Sequence, residues 1–68
     1  MKIMILKDGK LERIVEGKGF WDVIGKALFF LIEEIKESTI YSSGYYNELK
    51  IFYISTSKGY YELKMYEK

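Results

Sequence analysis

The sequence predicts an α+β fold in the order ββαββ, one helix packed on an antiparallel sheet made of two hairpins. Three features predict it: Asp8-Gly9 separates two short strand-like runs, a long helical stretch begins at Phe20, and two further alternating runs flank Ser57-Lys58-Gly59. An extra short strand is expected at 39–41.

Lys2 to Lys7 is a brief Ile-rich run, and Lys10 to Glu16 follows directly after Asp8-Gly9. Asp-Gly suits a type I′ turn, in which both central residues take positive φ. A two-residue turn sets Leu6 against Leu11, Met4 against Arg13 and Ile3 against Ile14. The first strand is apolar on both faces. The second carries Glu12, Arg13 and Glu16 and is expected at the sheet edge, where charge discourages pairing with other chains.

Gly17-Lys18-Gly19 interrupts the strand, and Phe20 to about Glu37 has helical periodicity, with Asp22 in the first turn where a negative charge suits the dipole. Asp22, Lys26, Glu33 and Glu37 make a polar stripe. Phe20, Ile24, Ala27, Leu28, Leu31 and Ile35 make the face expected to lie on the sheet. The apolar run from Ala27 to Ile32 winds round the whole helix, so Phe29 falls on the polar stripe and Val23 and Phe30 on its flank.

Beyond the helix the chain is rich in Ser, Gly and Tyr, and a turn is expected at Ser42-Ser43-Gly44. Glu48 to Thr56 and Tyr60 to Tyr66 alternate as strands. A three-residue loop at Ser57-Lys58-Gly59 pairs Tyr53 with Leu63 and Ile51 with Met65, sending these inwards with Leu49 and Tyr61. Lys50, Phe52, Ile54, Tyr60, Lys64 and Tyr66 then share the outer face.

At 68 residues the chain is expected to form one domain with a modest core. Hydrophobic residues are 49% and charged residues 31%, a globular balance that excludes disorder and a membrane span. Histidine and cysteine are absent, which removes disulfides, thiolate metal sites and the commonest general base, so no enzyme, metal or cofactor is expected. The formal net charge of +1 gives no long-range pull towards nucleic acid or anionic lipid. The first apolar stretch is too short for a secretory signal, and a cytoplasmic protein is expected. A single Asn, no Gln and abundant Lys, Glu, Ile and Tyr lean towards a heat-adapted source, and the size also suits a viral or mobile-element protein.

Gly17-Lys18-Gly19 precedes a helix N-terminus, where backbone N–H groups can meet an anion, but it fits neither the Walker A nor the dinucleotide spacing and reads as a plain turn. Glu33, Glu34 and Glu37 read as the solvated side of the helix. The aromatic residues carry more information. Val23, Phe29 and Phe30 on the helix, with Phe52, Ile54, Tyr60 and Tyr66 on the outer sheet face, exceed what a small monomer leaves wet. They point to a protein partner, foremost a homodimer. The alternative is a single-stranded nucleic-acid binder that stacks bases on the same outer face and holds phosphates with Lys50 and Lys64.

Overall fold

The structure is a computed structural model that describes residues 1–66, Tyr66 by its backbone alone. In chain order the elements are β1 (Lys2–Lys7), β2 (Lys10–Glu16), α1 (Phe20–Ile35), β3 (Ile40–Tyr46), β4 (Ile51–Thr56) and β5 (Gly59–Tyr66). All strands pair antiparallel in one sheet of order β2-β1-β5-β4-β3, with α1 on one face. The fold is α+β, and ββαββ is extended by β3. Central β5 joins the hairpins by setting Leu63 opposite Ile5 and Met65 opposite Ile3.

Asp8 and Gly9 both take positive φ, 52° and 84°, as the type I′ turn demands. Asp8 also ties the turn to β5: its N–H donates to the Tyr60 carbonyl at 2.8 Å and its Oδ1 accepts the Tyr60 N–H at 3.0 Å. Leu6 faces Leu11 as expected. Beyond that pair the register shifts, and Ile5 faces Arg13, Met4 faces Ile14 and Ile3 faces Val15. The extra residue is Glu12, a bulge that turns Arg13 and Val15 towards the helix. β2 is an edge strand, as its charges imply.

Val23, Ala27 and Leu31 are the buried helix positions, packed with Ile3, Ile5, Val15, Ile54, Tyr61 and Leu63 into one core. The helix is therefore rolled relative to the expected face. Phe20 and Leu28 are exposed, whereas Phe30 packs against the core with the Arg13 guanidinium 4.6 Å from its ring centroid. The helix stops at Ile35 rather than Glu37, because Glu37 is left-handed (φ 68°) and the N–H and Oγ of Ser38 both donate to the Ile35 carbonyl. Lys58, from the β4–β5 turn, covers further end carbonyls: its Nζ donates to Lys36 O at 2.9 Å and Glu34 O at 3.4 Å.

The β4–β5 loop holds two residues, not three. Thr56 faces Gly59, so Phe52 faces Leu63, Ile54 faces Tyr61, and Ile51 and Tyr53 face Lys64 and Glu62. Thr56 closes the shorter loop. Its Oγ1 accepts the N–H groups of Lys58 (3.1 Å) and Gly59 (3.2 Å) and donates to the Gly59 carbonyl (3.0 Å). Since the side-chain period is two, this one-residue difference sends Phe52 and Ile54 inwards and Ile51 and Tyr53 outwards. Leu49 is exposed in the Asn47–Lys50 turn, not in the core.

β3 is a full seven-residue edge strand rather than a fragment at 39–41. Ser42, Ser43 and Gly44 lie inside it, opposite Ser55, Ile54 and Tyr53. Gly44 serves there as a platform: a Cβ at this position would lie 2.8 Å from two atoms of the Tyr53 side chain.

Candidate protein-contact surface

The helix lies chiefly over β1 and β2 and shares its core with Tyr61 and Leu63 of β5 and Ile54 of β4, so the inner face around Phe52, Met65 and β3 extends beyond its cover. Between the open helix flank and this uncovered sheet runs a cleft of about 510 Å3. Phe20, Ile24 and Leu28 form its helix wall; Phe52, Leu63 and Met65 form the floor; Tyr45 and Lys50 stand at the β3 side. Among the described residues Lys50 is the one lining residue with a charged side chain.

The apolar surface continues over the rim of this cleft. Trp21, Gly25, Leu28, Ile32 and Ile35 recur at spacings of four, three, four and three, the pattern of a helix–helix seam. On a 3.6-residue helix they form one stripe, turned away from the Val23–Ala27–Leu31 line that holds α1 to the sheet except at Ile35, which packs against the core. Trp21 is 80% exposed and Ile32 59%, and nothing lies near Gly25. The helix thus carries two apolar lines, of which the fold buries one.

The opposite sheet face carries an aromatic ladder. Tyr46, Tyr53 and Tyr60, on β3, β4 and β5, stack with centroids 5.2 and 6.0 Å apart and planes within 30°. Tyr60 titrates above its ordinary value of 10.0, because packing takes its phenol partly out of water and because Glu62 and the two neighbouring tyrosines disfavour a further negative charge. Glu62 and Lys64 alternate with Tyr60 along β5.

The residues singled out from sequence are divided among these places. Val23 (0% exposed) and Ile54 (7%) are core, and Phe30 and Phe52 pack against it, so none of the four stands on the surface expected of it. Phe29 is 70% exposed, beside Lys26 and Glu33. Tyr60 belongs to the ladder, Lys64 is exposed beside it, and Lys50 lines the cleft at the other face with φ 56°. The Tyr66 side chain lies outside the described residues. Trp21, Ile32 and Tyr45 are not among the residues expected at a contact surface, and Leu28, expected on the sheet, is exposed; the alternating four-three spacing is the sequence signal for the helix residues.

The turn before α1 is occupied by the protein itself. The Lys18 N–H donates to Asp22 Oδ2 at 3.0 Å, and that bond, with Lys26 Nζ at 3.4 Å, holds the Asp22 carboxyl below its ordinary value. A carboxylate therefore sits where an anion would have to bind. Gly17 is more than a turn residue, since a Cβ there would come 2.8 Å from the Val23 backbone nitrogen. Among the described residues no group of three or more acidic side chains converges to hold a metal ion, and no helix is long and apolar enough to cross a membrane. No protein-family model, curated protein or solved structure matches the chain.

Proposed function

We propose that this chain is a small non-enzymatic cytoplasmic binding protein that acts by protein–protein contact and associates with itself. One observation carries the reading: α1 leaves the part of the inner sheet face at Tyr45, Phe52 and Met65 open, so the cleft and the exposed helix stripe form one continuous apolar surface. Contiguous apolar area of this kind on a small protein marks an interaction site, whereas scattered single hydrophobes do not. Sedimentation velocity tests it. Reversible association between about 1 and 100 µM, the range of ordinary weak dimers, is expected, and a monomer throughout would refute it.

The tyrosine ladder and Lys64 favour a second reading, single-stranded nucleic-acid binding. The ladder rings stack on one another, Glu62 interrupts the positive charge, and Phe52 and Ile54 face the core instead. Labelled oligonucleotide at low salt separates the readings, because phosphate contacts are strongest there. Saturable binding lost with Lys64→Ala would favour the second.

A further inference from the structure

We infer that the occupant of the exposed helix stripe is the same stripe of a second copy, the two α1 helices packing antiparallel about a two-fold axis near Leu28. The inference rests on the protein-contact reading and names its partner and surface. Spacing is the first argument. Seam positions at alternating steps of four and three are what one helix presents to another, while a helix resting on a sheet uses the broader face already filled by Val23, Ala27 and Leu31.

Shape is the second. Leu28 is the midpoint of α1, and antiparallel pairing about it brings Ile32 of each copy over Gly25 of the other, where nothing fills the space a side chain would occupy. Trp21 then meets the Ile35 end of the other helix. Charge favours the direction. Asp22 lies in the first turn and Lys36 just past the last, on the same flank of the stripe. A two-fold antiparallel pair keeps that flank on one side of the seam and brings each Asp22–Lys26 pair towards the Lys36–Glu33 pair of the other copy, whereas a parallel two-fold pair puts the two flanks on opposite sides of the seam and leaves each without opposite charge across it.

The size of the contact sets its strength. Covering Trp21, Leu28 and Ile32 in both copies removes on the order of 800 Å2. That is below the roughly 1,200 Å2 of a standard stable interface, the size of a weak, transient contact.

Trp21 is the single tryptophan and reports on the contact directly. Its emission is to be followed against protein concentration alongside sedimentation velocity. Dimer formation with a parallel blue shift is expected. Ile32→Glu should weaken association at least about tenfold, because a carboxylate would be pressed against an apolar partner. Phe29→Lys, more exposed than Ile32 but off the stripe, should change it by less than about threefold. Both positions are exposed, and far-ultraviolet circular dichroism confirms that each variant folds.

Four results would overturn the inference. Association with unchanged Trp21 emission would, and so would association that survives Ile32→Glu. A dimer broken by Ser43→Lys on the β3 edge while Ile32→Glu leaves it intact would move the contact to the strand. These three leave the protein-contact reading standing. A monomer at every concentration removes both.

Discussion

Replacing Gly44 by alanine tests whether the tyrosine ladder is a structural unit that depends on one missing side chain. The added Cβ would lie 2.8 Å from Cε1 and Oη of Tyr53, well inside ordinary contact distance, so the ring has to retreat. Retreat loosens the stacks with Tyr46 (5.2 Å) and Tyr60 (6.0 Å). Two aromatic pairs at about 0.5–1.5 kcal/mol each put 1–3 kcal/mol at stake. Alanine recovers about 0.5–1 kcal/mol through its smaller backbone entropy loss. The net expectation is a loss of about 1 kcal/mol, or a fall in Tm of about 4–8 °C for a domain of this size. A double-mutant cycle isolates the cause: in a Tyr53→Ser background the same Gly44→Ala change should be neutral or stabilising. Thermal denaturation by circular dichroism supplies all four corners. Equal effects in the two backgrounds would show that Tyr53 does not use Gly44 as its platform.

Three further outcomes follow from the same geometry. Asp22 titrates below its ordinary 3.8, so its contribution is present above that value and fades as pH falls through the lower folded value; Asp22→Asn should flatten the acid limb of Tm against pH. Val23→Ala opens a fully buried site and should cost about 2 kcal/mol in urea denaturation, whereas Phe29→Ala should stay within about 0.5 kcal/mol. Reversed sizes would show that the helix is rolled the other way. Thr56→Val removes the acceptor of the Lys58 and Gly59 N–H groups and should cost about 1–2 kcal/mol, with faster amide exchange in the turn.

Features whose physics is local are legible in the chain alone. Asp8-Gly9 specifies its turn because few dipeptides accept two positive φ angles in succession, and the helix is legible because its periodicity runs uninterrupted from Phe20. The charged edge at β2 was equally readable. Features that depend on partners distant in the chain are set by the packed fold. Thr56 shortened its loop by one residue with a side-chain oxygen, and that exchanged the faces of β4, taking Phe52 and Ile54 from a supposed surface into the interior. Tyr53 required a glycine beneath it, so Ser42-Ser43-Gly44 became strand where turn chemistry had suggested a bend. The roll of α1 follows from packing Val23, Ala27 and Leu31 on the sheet, with the Arg13 guanidinium lying over the Phe30 ring after the Glu12 bulge. An apolar helix surface can be counted from sequence, but which part of it remains uncovered depends on where the sheet lies beneath it. Here that was decided by packing on β1 and β2, and it left Trp21, Leu28 and Ile32 outside.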